Sequence, residues 1–146
     1  MIGRKIGRYR ILSRLGAGGM STVWEARDEL LGHVVALKVL SEALAESAEA
    51  RRRFRHEAQI VQLFDHPAIA AVHEVGEGGG RTFIAMSRIE GETLARRLDR
   101  GPLDVAEALR VVSIVAAALG YAHARGVVHR DVTPRNIMLA SDGRVL

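Results

Sequence analysis

The sequence VVHRDVTPRNIML, which runs from Val127 to Leu139, joins a His-Arg-Asp triplet to an asparagine five residues beyond the aspartate. We predict that the two short apolar runs at its ends are buried strands. The Asp131 carboxylate between them could accept a proton from a hydroxyl group, and the amide oxygen of Asn136 is a suitable ligand for a metal ion. The alternative is an ordinary turn, because Asp, Thr, Pro and Asn are all favoured in turns.

The amino-acid composition excludes several other kinds of functional site. The chain has 146 residues, of which 48% are hydrophobic, so it is of single-domain size and can bury a sizeable core. It contains no cysteine, which excludes a disulfide framework and a thiolate zinc site and fits a cytoplasmic protein. His56-Glu57 and His73-Glu74 each lack the second histidine that a zinc-protease helix needs.

The formal net charge is +4, and the basic residues cluster only at Arg51 to Arg55. A nucleic-acid patch there is one interpretation, but aromatic residues are few and no groove-reading motif accompanies it. We therefore predict a solvated helix face and no nucleic-acid partner. Met1 to Arg14 has no continuous apolar core of a signal peptide, and the apolar run Val111 to Ala122 is too short to span a bilayer, so we expect no membrane segment.

A glycine-rich stretch follows the strand-like alternation of Tyr9 to Leu15. It reads Gly16-Ala17-Gly18-Gly19-Met20-Ser21-Thr22-Val23, and glycines at this density let backbone amides approach a phosphate. A dinucleotide-binding loop would be followed about 20 residues later by an acidic residue, whereas the strand Val34 to Leu40 carries a lysine there. No Gly-Lys-Ser or Gly-Lys-Thr triplet is present, which excludes a Walker-type loop.

Lys38 lies among aliphatic residues in the third strand of a predicted meander, His33 to Leu40. A buried lysine needs an anion, although an edge-strand lysine could instead extend to solvent. The next segment, Ser47 to Phe64, has helical periodicity with Ser47 as its N-cap. Glu57 on this helix could reach Lys38, or it could pair with Arg53 one helical turn earlier.

The rest of the chain predicts one hairpin and two helices. Ile69 to Val75 and Thr82 to Met86 form the hairpin across a glycine-rich turn. Ser87 to Gly91 reads as a connector. Glu92 to Arg100 forms a short helix, and Asp104 caps a long apolar helix that ends at Arg125.

The motifs in this order resemble the N-terminal part of a eukaryotic-like protein kinase, and most closely its bacterial serine/threonine branch, from Ile6 to Leu146. The resemblance implies an α+β, protein-kinase-like fold with a complete small lobe, made of a five-stranded antiparallel sheet and one major helix, and the beginning of a helical large lobe. The implied divisions are residues 1–86 for the small lobe, 87–91 for the hinge and 92–146 for the partial large lobe.

The resemblance also implies roles for individual residues in binding ATP and Mg²⁺ and in phosphorylating a protein on serine or threonine. Asp131 would be the catalytic base, Lys38 would contact the α- and β-phosphates, Glu57 would anchor Lys38, and Asn136 would bind magnesium. The remaining nucleotide-binding set comprises Leu15, Val23 and Ala36 above the adenine, Met138 below it, Met86 as gatekeeper, Ser87 and Ile89 in the hinge, and Gly16, Ala17, Gly18, Gly19, Met20, Ser21 and Thr22 over the phosphates.

Three departures from the family pattern matter. Ser21 replaces the third glycine of the loop, and Thr133 replaces a lysine that steadies the transferred phosphate. The sequence contains no Asp-Phe-Gly motif, whose aspartate would be the main magnesium ligand. An inactive nucleotide-binding pseudokinase and a non-functional gene fragment are therefore the alternatives to an active kinase.

We also expect the apolar helix after Asp104 to mediate self-association, because part of its apolar face has nothing obvious to cover it.

Overall fold

The structure, a computed structural model, describes residues 1–146 and divides into two compact units. Unit 1 comprises Met1–Leu63 and Ala71–Arg88, and unit 2 comprises Phe64–Ala70 and Ile89–Leu146. The short segment Phe64–Ala70, which the predicted small lobe includes, is thus grouped with unit 2. Three contacts with Tyr121 hold it there. The Phe64 ring packs edge-on against the Tyr121 ring at 5.5 Å, the His66 ring lies 5.0 Å from it, and the Tyr121 hydroxyl accepts a hydrogen bond from the Asp65 N–H at 2.9 Å.

Unit 1 is built on one six-stranded antiparallel sheet. Its strands are β1 (Lys5–Ile6), β2 (Tyr9–Ala17), β3 (Ser21–Asp28), β4 (Val34–Leu40), β5 (Val72–Gly78) and β6 (Arg81–Ser87). They lie in the sheet in the order β1-β2-β3-β4-β6-β5. The predicted sheet has five strands. The additional strand is β1, which contains only two residues and is too short to show a periodic pattern.

Two helices follow β4 in unit 1, namely α1 (Glu42–Ala45) and α2 (Ala48–Val61). The Ser47 hydroxyl caps α2 by accepting the Ala50 N–H at 3.2 Å, as the sequence predicts. The helix ends at Val61, three residues before the predicted end. Its buried residues Phe54 and Ala58 pack with Leu40 and Ile84 of the sheet.

The main core of unit 1 lies within the sheet. Alternate residues of β2 and β4 point into it, because successive side chains of a strand face opposite ways. The buried Tyr9 ring meets the Phe83 ring edge-on at 5.4 Å. The cluster contains Ile6, Tyr9, Ile11, Ala26, Val35, Leu37, Val39, Phe83 and Ala85.

A network of hydrogen bonds and ion pairs surrounds the Tyr9 hydroxyl at the edge of this core. The Tyr9 hydroxyl donates to Glu74 at 2.6 Å, and burial, followed by this hydrogen bond, raises the pKa of Tyr9 well above its ordinary value. Arg8 bridges the two carboxylates of the network, with Nε 3.0 Å from Asp28 and a terminal nitrogen 3.3 Å from Glu74. The network therefore connects β5 to the turn that follows β3.

Unit 2 contains a two-stranded antiparallel sheet and two helices: β7 (Gly91–Thr93), β8 (Met138–Ala140), α3 (Leu94–Leu98) and α4 (Val105–Ala124). The predicted helix at Glu92 is shorter than expected because its first residues belong to β7. Gly91 has φ of +147°, and a Cβ atom there would overlap the Leu139 carbonyl oxygen, so only glycine allows the two strands to pair this closely. The prediction of a buried strand at Val127 and Val128 is wrong, since no strand forms there.

Helix α4 packs one face and exposes the other. Asp104 caps it by accepting the Glu107 N–H at 2.7 Å, as predicted, and Val111 packs with Leu94 and Val145 in the core of unit 2. The helix has 20 residues and a mean hydropathy of 1.6, so by length and composition alone it could cross a membrane. The expectation of no membrane-spanning segment is based on the shorter apolar run Val111 to Ala122.

Candidate functional site

The glycine-rich loop forms the hairpin between β2 and β3. Its turn is closed by the Gly18 N–H, which donates to the Ser21 carbonyl at 2.9 Å. A Cβ atom added at Gly16 or Gly19 would meet no atom within 4 Å, so these glycines border open space. The backbone on this side of the loop is therefore not covered by side chains at Gly16 and Gly19, as close approach of a phosphate requires.

Lys38 lies on β4, opposite Val23 on β3 and Ile84 on β6. Because β4 has a neighbour on both sides, the alternative of an edge-strand lysine is wrong. The side chain is half-buried, and its ammonium lies 5.9 Å from the centroid of the Phe54 ring. Lys38 is thus a cation within the sheet that makes no ion pair with a carboxylate within 4.0 Å.

Glu57 is exposed on α2, and no ion pair within 4.0 Å joins it to Lys38. Its alternative partner, Arg53, instead pairs with Glu49 at 3.5 Å. The α2 side chain that lies near the Lys38 ammonium is Phe54. The structure therefore does not bring the predicted anchor and its lysine together.

The predicted adenine-binding residues of unit 1 lie along the sheet. Ala36 is buried and pairs across the strands with Met86, which is half-buried. Val23 is half-buried and Leu15 is exposed. At the end of β6 the Ser87 hydroxyl lies 3.1 Å from the His73 Nε2 atom.

The other two adenine-binding candidates belong to unit 2. Ile89 is buried and Met138 is half-buried at the start of β8. The Met138 N–H donates to the Leu146 carbonyl at 2.8 Å, and the Leu146 N–H donates back to the Met138 carbonyl at 3.0 Å. Met138 is therefore held by strand-like bonds next to the His-Arg-Asp loop.

The Asn136 side chain organises the His-Arg-Asp loop of unit 2. Its Nδ2 group donates to both the backbone carbonyl of Asp131, at 2.9 Å, and the carboxylate Oδ2 of the same residue, at 3.1 Å. A short 3₁₀ turn, Pro134–Asn136, returns the chain so that these two side chains meet. This turn holds the exposed Asp131 carboxylate, and its presence does not decide between an ordinary turn and a catalytic loop.

Two further residues, His129 and Arg130, shape this loop. The Asp131 N–H donates to the Nδ1 atom of His129 at 3.1 Å. Arg130 between them has φ of +68° and is the chain's one non-glycine residue with positive φ. Such a backbone conformation is strained for a residue with a side chain and concentrates at functional sites. Only the position of these residues beside Asp131 could have indicated their importance.

The oxygen atoms of the loop suit a magnesium ion. Asn136 uses its nitrogen in both bonds to Asp131, which leaves its amide oxygen uncommitted. Magnesium commonly takes one or two protein oxygens and completes its shell with water and phosphate oxygens. No group of three or more His, Cys, Asp or Glu side chains forms a closed metal site elsewhere in the chain. The loop therefore fits an ion that arrives with a phosphate ligand.

The chain resembles known proteins over almost all of its length. The family model described as "Protein kinase domain" matches residues 9–146. The serine/threonine-protein kinase PrkC of Bacillus subtilis is 40% identical over 147 residues, which cover 99% of this chain and 23% of PrkC. The serine/threonine-protein kinase PknA of Mycobacterium tuberculosis is 43% identical over 145 residues, which cover 95% of this chain and 34% of PknA. The chain thus spans about a third or less of these relatives' lengths.

Solved structures show the same fold. The crystal structure of the Mycobacterium tuberculosis PknI kinase domain superimposes with a TM-score of 0.85 at 40% identity, covering 99% of this chain and 60% of that chain. The apo form of PpkA-294 superimposes equally well, with a TM-score of 0.85, at only 22% identity. The latter likeness concerns the fold alone.

Proposed function

Because this chain belongs to the protein kinase family, we propose that it transfers the γ-phosphate of ATP to a serine or threonine hydroxyl of a protein substrate in the cytoplasm. The observation that carries the proposal is the double hydrogen bond from Asn136 to Asp131, at 2.9 and 3.1 Å. The two bonds hold the Asp131 carboxylate, which would receive the proton, and keep the Asn136 amide group beside it. Phosphoryl transfer depends mainly on such positioning.

Each part of the proposed chemistry has its own residues. The backbone amides of Gly16 to Ser21 would donate to phosphate oxygens, and Lys38 would supply a positive charge to them. Asp131 would accept the proton of the attacking hydroxyl. Asn136 would hold Mg²⁺, which when bound neutralises charge on the phosphates.

Lys38→Met is expected to weaken ATP binding at least roughly tenfold, because it removes the cation proposed to meet the phosphates while keeping a side chain of similar length. Isothermal titration calorimetry of the 146-residue chain with ATP, with and without Mg²⁺, measures the effect. Lys5→Met is the matched control, since Lys5 is the only other lysine and lies on β1. Equal ATP affinity in the Lys38 and Lys5 variants would contradict the proposed role of Lys38.

A second candidate function is nucleotide binding without phosphoryl transfer, as in a pseudokinase. It is favoured by the missing ion pair between Lys38 and Glu57 and by Thr133, whose hydroxyl carries no positive charge. ATP binding without transfer of radiolabelled phosphate to casein would support this second function. Absence of ATP binding would contradict both functions and favour a non-functional fragment.

We further propose that two copies of the chain associate through α4. Val105, Leu109 and Val112 share one helix face and are 77%, 63% and 64% exposed. Light scattering is expected to show a dimer that Leu109→Glu converts to a monomer. A monomeric unsubstituted chain would refute the association.

A further inference from the structure

A row of three cations crosses the first three strands of the unit 1 sheet. Lys5 lies directly opposite Arg10, and Arg10 lies directly opposite Arg27. Residues directly opposite each other in a sheet project from the same face, and like charges in these positions repel. All three side chains are exposed. The fold therefore holds three positive charges in a line, at an electrostatic cost.

The neighbouring carboxylate neutralises only part of this row. Glu29 pairs with Lys5 and accepts from Arg10 Nε at 2.6 Å, and these two contacts hold the pKa of Glu29 below its ordinary value. Arg27 makes no ion pair within 4.0 Å, and neither does the exposed Arg4 next to the row. Lys5 and Arg10 therefore share one carboxylate, whereas Arg27 and Arg4 have none within 4.0 Å.

Three exposed aliphatic side chains border the row. Leu30 and Leu31, which directly follow Glu29, are 72% and 62% exposed. Their N–H groups donate to the buried Asp28 carboxylate at 2.9 and 3.0 Å, so the turn that presents them is fixed. Ile2 is 69% exposed, and the next residue, Gly3, accepts from Arg10 at 3.2 Å. We call these seven residues the basic face: Ile2, Arg4, Lys5, Arg10, Arg27, Leu30 and Leu31.

We propose that the basic face docks unit 1 on an anionic lipid bilayer. Cations near the surface are attracted to anionic headgroups, while aliphatic tips enter the boundary between headgroups and acyl chains. Neighbouring strands are about 4.8 Å apart, so the row is about 10 Å long and presents its charges along a surface. This peripheral contact needs no membrane-spanning segment.

The composition of the face favours a bilayer over the other occupants. A nucleic acid would gain little from three exposed aliphatic side chains, and the face has no aromatic residue on which a base could stack. A second copy of the chain, related by a two-fold axis, would bring one cation row against another. An anionic bilayer complements both the charge and the apolar tips.

Vesicle co-sedimentation of the full chain tests the proposal, using phosphatidylcholine vesicles with and without roughly 30% phosphatidylglycerol. We expect binding only to the anionic vesicles, and weaker binding at higher salt. Arg4→Gln with Arg27→Gln is expected to reduce the affinity roughly 25-fold, because each cation near an anionic surface accounts for roughly a fivefold change. Leu30→Ser with Leu31→Ser is expected to reduce the affinity for anionic vesicles at low and high salt alike.

Matched variants separate this face from general charge and from α4. Arg52→Gln with Arg96→Gln removes the same charge from exposed sites on α2 and α3 and should leave binding unchanged. The α4 variant Leu109→Ser with Val112→Ser, which should be monomeric, is expected to keep the preference for anionic over neutral vesicles. Circular dichroism melting of each variant shows that it is folded.

Three outcomes would overturn the proposal. The first is absence of binding to anionic vesicles by the folded chain. The second is an equal loss of binding in the Arg52/Arg96 variant, which would show attraction by net charge alone. The third is a change of oligomeric state in the Leu30/Leu31 variant without a change in vesicle binding, which would assign the face to a second copy of the chain.

Discussion

Asp131→Asn is expected to lower the rate of phosphate transfer from ATP by about 10²- to 10⁴-fold, the range that a positioned general base contributes. The amide that replaces the carboxylate still has an oxygen to accept from Asn136, so the loop conformation should persist. ATP affinity should change little, because the proposed role of Asp131 concerns the attacking hydroxyl. Transfer of radiolabelled phosphate to casein, measured beside calorimetric ATP binding, gives both quantities.

Asp142→Asn provides the matched control for this substitution. Asp142 is also an exposed aspartate of unit 2, and it contacts only Arg144, through a backbone bond of 3.1 Å and a side-chain bond of 2.7 Å. Its substitution should leave both transfer and ATP binding unchanged. If the Asp131 and Asp142 variants transfer phosphate equally well, Asp131 is not the base.

Asp28→Ala is expected to lower the free energy of unfolding of unit 1 by about 3 to 5 kcal/mol. Asp28 is 1% exposed, and its carboxylate accepts the Leu30 and Leu31 N–H groups and the Arg8 guanidinium. Alanine would remove these hydrogen bonds, and a hydrogen bond to a charged group contributes about 1.5 to 3 kcal/mol. Urea unfolding near neutral pH measures the loss.

Asp28→Asn separates the hydrogen bonds from the charge. The amide oxygen can still accept the two backbone N–H groups, so we expect a smaller loss, about 1 to 2 kcal/mol. The control is Asp99→Ala, which removes an exposed aspartate at the end of α3 and should be nearly neutral. An Asp28→Ala variant as stable as the Asp99→Ala variant would refute the anchoring role of Asp28.

The Asp28 carboxylate also makes the free energy of unfolding depend on pH. Burial acts to raise the pKa of Asp28, but the Leu31 and Leu30 N–H groups and Arg8 outweigh it and hold the pKa below the ordinary value of 3.8. The folded chain therefore binds this proton less readily than the unfolded chain, and the stabilisation is lost as pH falls below that ordinary value. The wild-type chain should lose more stability between about pH 5 and pH 3 than the Asp28→Asn variant does.

Much of the fold could be predicted from local sequence. The Ser47 and Asp104 caps lie where the sequence places them, because a cap depends on a side chain and a backbone N–H three residues later. The β2–β3 hairpin could be predicted because the glycines interrupt an alternating pattern. The strand β1 could not, because two residues show no period, and its pairing with Tyr9 depends on the rest of the sheet.

The candidate site likewise has features that local sequence predicts and features that depend on the whole fold. The spacing of Asp131 and Asn136 is local, and a single 3₁₀ turn brings them together. Lys38 could be identified as a cation among aliphatic residues, but its central position depends on strand order, which pairs β4 with both β3 and β6. Whether Glu57 reaches Lys38 depends on how α2 packs against the sheet, and there Phe54 is the residue beside the ammonium.

The sequence by itself therefore determined the family, the spacing that brings Asp131 and Asn136 together and the approximate positions of most helices and strands. These depend on residue type and on spacings of a few residues, which the backbone geometry converts directly into local structure. Tertiary structure alone decided the sixth strand, the grouping of Phe64–Ala70 with unit 2, the separation of Lys38 from Glu57 and the alignment of Lys5, Arg10 and Arg27 on one face. Each of these joins residues distant in sequence, so each is set by packing and strand register, which no local pattern encodes.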